Sequence, residues 1–173
     1  MDLLDWLQYE VFDNTLLAWS TALVTFVVAW FLLGVARRMI GKHLQVLAER
    51  RELTPLKIAA HTAGRTKGWF LFVMAVFIGS RFLDLPPAAD SALTKAATIG
   101  LLLQMGLWAT AAFTVGMRLR REKQLTIDPE AVAAMDVLGF VLRAAVWSFV
   151  LLLALDNLGI DITALVAGLG IGG

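Results

Sequence analysis

Few residues of this chain are of types that could do bond-making chemistry, and their spacing argues against it. His43 and His61 are the two imidazoles; both sit in a basic stretch with no carboxylate or cysteine at ligand spacing, so no metal site is expected. Cysteine is absent, which removes disulfides, thiolate ligands and thiol nucleophiles. The sequence has no G-x-x-x-x-G-K-[ST] phosphate loop, no G-x-S-x-G elbow and no H-E-x-x-H zinc helix. Neither an enzyme nor a cofactor is expected. What remains is physical chemistry in an apolar solvent: Arg143 and Gln104 inside otherwise uncharged runs, arginine clusters beside those runs, and a concentration of small residues from Thr163 to Gly173.

On a helical wheel Thr163, Ala164, Ala167, Gly168, Gly170 and Gly172 share one broad arc, broken by Ile171, while Leu165, Val166 and Leu169 face the other way. Each glycine costs a helix roughly 0.8–1 kcal/mol relative to alanine, so their density needs a compensating contact. Membrane helices supply one, because small residues let backbones approach closely; Ala164, Gly168 and Gly172 recur every fourth position as such a packing stripe. The arc is too wide for one neighbour. It suits a helix with a partner on each side that presents the strip Thr163, Ala167 and Gly170 to a central, water-filled space without a ring of charge.

The elements that would carry these residues are membrane spans. Hydrophobic residues make up 59% of 173 positions, above the share of an ordinary soluble domain, and the charges fall between long apolar runs. Residues 15–36 are uncharged and, at about 1.5 Å per residue, span about 33 Å, against a hydrocarbon core of roughly 30 Å. Further spans are expected over 68–83, 96–117 and 137–155, with Arg81 and Arg143 snorkelling from within or beside them. A fifth apolar run starts at Leu158 and is cut off at Gly173, so the chain reads as a fragment. The expected fold is therefore all-α, polytopic, with four transmembrane helices plus the start of a fifth: residues 1–157 as a peripheral domain and 158–173 as the beginning of a further helix.

Of fifteen Lys and Arg, twelve lie in the two loops that follow spans one and three, including Arg37, Arg38, Arg118, Arg120 and Arg121. The positive-inside rule puts those loops in the cytoplasm and the acidic N-terminus outside. That N-terminus has no basic region before Arg37 and reads as retained rather than as a cleaved signal. The basic residues alternate with apolar spans, which makes them topology determinants that meet anionic lipid headgroups, not a nucleic-acid footprint. Arg143, with these arginines, is expected to snorkel to the interface, with a lipid-phosphate or interhelical contact as the functional alternative. Gln104 is placed to hydrogen-bond a neighbouring helix, and Trp19 and Trp69 to act as interfacial anchors. Asp84-Leu-Pro-Pro reads as a rigid outer turn, Thr54-Pro55 and Asp128-Pro129 as helix starts. Ile40, Leu44 and Leu47 fall at helical spacing, on a surface helix or an extension of span one.

The phrase LGIDITALVAGLGIGG, residues 158–173, resembles the start of the pore-lining helix of the small-conductance mechanosensitive channel family, where glycine and alanine repeats let seven copies of one helix pack around a pore. The close resemblance covers about the last 17 residues, with a topology upstream that agrees with it. It implies a membrane-tension-gated, weakly selective ion channel of the inner (plasma) membrane acting in osmotic protection, a homo-oligomer (heptameric in the family) whose partners are lipids and ions. Thr163, Ala167 and Gly170 would line the pore; Ala164, Gly168 and Gly172 would pack it. The family's gate, second half-helix and cytoplasmic domain would all lie past Gly173. A secondary transporter would also use glycine-broken helices, but with polar groups near the midplane, where Gln104 alone stands; a non-conducting scaffold subunit is the third reading.

Overall fold

The computed structural model describes residues 10–51, 53–124, 129–163 and 167–168. Two short strands, β1 (Glu10–Val11) and β2 (Asn14–Thr15), precede five helices: α1 (Leu16–Arg51), α2 (Thr54–Gly64), α3 (Gly68–Ser80), α4 (Pro87–Gln124) and α5 (Pro129–Asn157). Helix begins again at Thr163. The fold is helical as the sequence implies, and the hairpin is the one element that its hydrophobic pattern does not announce.

Three helices contain stretches long and apolar enough to cross a membrane: Leu16–Arg50, Pro87–Leu119 and Met135–Asn157. The second expected span differs. Over 68–83 the helix covers only Gly68–Ser80, 13 residues or about 20 Å, and is preceded across Arg65–Lys67 by the separate α2. Span one is longer than its uncharged run, because α1 continues without a break through Ile40, Leu44 and Leu47. The amphipathic segment thus extends the span.

Local chemistry fixes the ends. The Thr15 hydroxyl accepts from the Ala18 N–H at 3.1 Å, an N-cap for α1. Pro87 opens α4, with the Pro86 carbonyl accepting from Ala89 and Asp90, so the double proline stops one connection and starts the next helix. At α2 the cap is Leu53 rather than Thr54, with no side-chain cap bond; Pro55 still sits in the first turn, where its missing N–H costs nothing. Pro129 opens α5, while its expected cap, Asp128, lies outside the described residues.

The chain divides into two compact units. In the first, Met1–Arg38 with Lys67–Gly100, α3 packs on α1 through small residues. Ala75 is fully buried and Gly79 follows it by one turn; a Cβ on Gly79 would lie 2.9 Å from the Ala22 carbonyl oxygen and 3.1 Å from Phe26 Cβ. Phe26, Trp30 and Phe72 continue the contact, Phe72 standing edge-on to both other rings at 5.6 and 6.3 Å between centroids. The hairpin is fastened here as well. Asn14, buried, donates to the Asp84 carbonyl at 2.9 Å and accepts from the Asp84 N–H at 2.7 Å. Its two-residue loop, Phe12 and Asp13, has φ of 52° and 58°, the left-handed region that costs non-glycine residues about 1–2 kcal/mol each.

The second unit is Met39–Thr66 with Leu101–Gly173. There α4 meets α5 closely at Gly106, where a Cβ would come within 3.0 Å of Val150, and Gly116 faces Ile58 of α2.

Candidate functional site

The small-residue segment is set up by the way α5 ends. Gly159 adopts φ +88°, a conformation open to glycine, and the chain reverses over it: the Ile160 N–H donates to the Leu155 carbonyl at 3.0 Å and the Gly159 N–H to Asp156 at 2.9 Å. This pair of bonds is the Schellman stop, which satisfies carbonyls that α5 would otherwise leave bare. Two residues on, the Asp161 carboxylate accepts from the Thr163 N–H at 2.8 Å and caps the next helix. Hydrogen bonds from the Thr163 hydroxyl and then from its backbone N–H hold the Asp161 carboxyl below the usual carboxylate range. The five residues from Asn157 to Asp161 therefore end one helix and start another.

Thr163, Ala167 and Gly168 are helical and exposed, and a Cβ built on Gly168 meets nothing within 4 Å among the described residues. Ala164, Gly170 and Gly172, which complete the expected lining and packing sets, lie outside the described residues.

The arginines are brought together in part. Arg118 and Arg121 near the C-terminal end of α4 and Arg143 of α5 line a common recess of about 380 Å³ with Thr114, Met117, Met135, Asp136 and Gly139. Within it Arg121 and Asp136 lie 3.5 Å apart, both well exposed, an ion pair that contributes about 0–1 kcal/mol. Arg143 thus joins arginines near the end of α4, a grouping that spacing alone does not reveal. Arg37 and Arg38 are exposed on α1, and the side chain of Arg120 lies outside the described residues.

Gln104 is fully buried, and its amide donates to the Arg65 carbonyl at 3.4 Å. One turn further along α4 the Trp108 indole N–H donates at 3.1 Å to the Thr66 hydroxyl, which itself donates to the Ala63 carbonyl at 2.9 Å. The Gln104 bond serves a carbonyl just past the end of α2, a group that in a bilayer has no water to turn to. The Ala63 carbonyl also accepts from the Thr66 N–H at 3.2 Å, so Trp108 adds a bond to the turn through the Thr66 hydroxyl. Gln104 was legible as an interhelical donor. Trp108 was not, although an indole one helical turn from a buried amide is a signal that could have been taken.

Among the described residues no group of three or more His, Asp or Glu could hold a metal ion. Residues 140–173 match the family model described as mechanosensitive ion channel, transmembrane helices 2/3. No curated protein and no solved structure matches the chain.

Proposed function

From the match of residues 140–173 to the mechanosensitive ion channel family model, we propose that the protein is the membrane part of a channel opened by membrane tension, weakly selective among ions, and protective in osmotic stress. The observation that carries this reading is the coincidence of the family match with one local arrangement: α5, the Gly159 stop, the Asp161 cap and a following helix that exposes Thr163, Ala167 and Gly168. A small-residue face of that width fits copies of the same helix on both sides. The protein then works as a homo-oligomer, heptameric if it follows the family resemblance, with Ala164, Gly168 and Gly172 between helices and Thr163, Ala167 and Gly170 toward the pore. Residues 1–157 serve as the lipid-gripped sensor and 158–173 begin the pore helix.

Tension acts as a ligand does: it favours whichever state it interacts with more strongly, here the one with the larger area in the membrane plane. The long, largely exposed α1 gives lipids an extensive grip, with Leu23 63% and Phe31 69% exposed. Arg37, Arg38, Arg118, Arg120, Arg121 and Arg143 meet the headgroups of the cytoplasmic leaflet, so that the N-terminus is outside and the protein resides in the inner membrane.

The test is patch-clamp recording from full-length protein reconstituted in giant liposomes. Current that rises with suction is expected, and a cysteine at Ala167 should react with a water-soluble thiol reagent faster under tension. Absence of current at every pressure short of rupture, with saturable solute uptake in its place, would overturn the channel in favour of a carrier.

A further inference from the structure

We propose that the N-terminal hairpin is a membrane-interface anchor, with Phe12 at its tip inserted among the lipids of the leaflet into which α1 enters. A two-residue hairpin loop needs positive φ at both positions, which Asn-Gly supplies with least strain. Here the positions hold Phe12 and Asp13, at φ 52° and 58°. For a bulky aromatic that conformation is a genuine outlier, so the turn itself does not explain the choice of residue. Nor do contacts within the chain, because Phe12 is 85% exposed.

The surroundings give the apolar tip a lipid partner. The hairpin ends at Thr15 and α1 begins at Leu16, so the loop lies at the mouth of a helix long and apolar enough to span the membrane. Exposed apolar side chains run up to it. Leu17, Leu23 and Val24 are more than half exposed on the first turns of α1, and Trp19 lines an apolar groove of about 370 Å³ with Leu23, Val76 and Leu93. The same Trp19 donates its indole N–H to the Val11 carbonyl of the hairpin at 3.0 Å, an aromatic with one apolar face and one tethered polar edge, as interfacial tryptophans have. Asn14 completes the design by clamping the hairpin to both backbone groups of Asp84, so the loop is held rigidly while its strained tip stays outside the fold. Strain kept in place by such a clamp makes sense where the projected side chain has work to do elsewhere.

The inference rests on α1 crossing the membrane and is independent of conduction, so its test does not measure current. Because these 173 residues hold no cysteine, Phe12→Cys in the full-length protein, with any cysteine outside them replaced by serine, can carry a single nitroxide label. In vesicles of phosphatidylcholine and phosphatidylglycerol the label should be more accessible to oxygen than to a water-soluble nickel complex, with that ratio reversed for a label at the neighbouring Asp13→Cys. Greater nickel than oxygen accessibility at position 12 would overturn the anchor. So would strong spin–spin coupling between labels, which would make the tip a contact between copies. A photoreactive p-benzoylphenylalanine at position 12 keeps an aromatic there should the cysteine variant fold poorly. Illumination should add the mass of a phospholipid, while protein–protein adducts or no adduct at all would again refute the proposal.

Discussion

In the unit of Met1–Arg38 and Lys67–Gly100, the closest approach is backbone against backbone, Gly79 against the Ala22 carbonyl with Ala75 buried one turn away. In the unit of Met39–Thr66 and Leu101–Gly173, side chains of α4 donate to the residues just past α2: Gln104 to the Arg65 carbonyl, and Trp108 to the Thr66 hydroxyl. Both solve the same problem. Lipid tails are as apolar as leucine, so helices in a bilayer gain little from hiding apolar surface and must associate by tight packing or by hydrogen bonds. The first unit relies on packing, which tolerates no added volume. The second adds to its close contact at Gly106 the bonds from Gln104 and Trp108 to the end of α2, which are sensitive to loss of a donor.

This contrast predicts opposite responses to similar substitutions. Gly79→Ala should have the largest effect, because the added methyl meets backbone atoms that cannot rotate away; overpacking of this kind costs about 1–3 kcal/mol. Gly41→Ala, where a Cβ meets nothing within 4 Å inside α1, should instead stabilise by about 0.5–1 kcal/mol through helix propensity. Equilibrium unfolding of the purified protein in mixed micelles would read both. Equal destabilisation by the two would mean that the small-residue contact does not organise the first unit.

A smaller effect is expected at Gln104→Leu. Volume is nearly kept while the donor to Arg65 is lost, and interhelical hydrogen bonds in membranes average about 0.6 kcal/mol, up to about 1.7. Because the site is fully buried the value should fall toward the upper end, with Trp108→Phe costing less, since the Thr66 hydroxyl still serves Ala63. The sharper readout is local: amide exchange at residues 62–66 should quicken in Gln104→Leu while exchange in Gly68–Ser80 is unchanged. Uniform acceleration across both would show a general loss of packing in place of a lost clasp.

Which parts of this architecture the sequence revealed follows from the range of the forces involved. Three helices long and apolar enough to cross a membrane were legible because a run of membrane length with at most one charge is a one-dimensional signal, and the turn at Asp84-Leu-Pro-Pro because proline geometry is local. The shortness of α3 was legible, since its uncharged run is Gly68–Ser80, but the separate α2 before it was not. Residues 65–67 carry Arg65 and Lys67, which mark the end of an apolar run, but the helix before them is held by Gln104 and Trp108, some 40 residues away. The hairpin escaped for a similar reason: its anchor is Asn14 to Asp84, 70 residues apart, and its loop lacks the Asn-Gly that would announce it. In the candidate site the new run from Leu158 was visible from the polar residues Asp156 and Asn157 before it, whereas the meeting of Arg143 with Arg118 and Arg121 depends on how α4 and α5 pack.

The smallest expected effect concerns the cap that starts the last helix. Asp161 is fully exposed and its carboxyl lies below the usual carboxylate range because the charged form accepts hydrogen bonds from Thr163. A group whose folded-state pKa is depressed stabilises the fold above its unfolded value, and that contribution fades as pH falls through the folded value. The helix start should therefore be insensitive to pH from neutrality down to the ordinary carboxylate range and loosen only below it. Amide protection at Thr163, followed by NMR in detergent micelles, should show this late loss. Asp161→Asn retains an acceptor oxygen and the preference for the cap position, so it should keep most of the protection and lose its pH dependence. Asp161→Ala should lower protection at every pH. If Asp161→Asn instead loosened Thr163 as fully as Asp161→Ala, the charge near the helix N-terminus would matter more than the hydrogen bond, and the cap would be an electrostatic one.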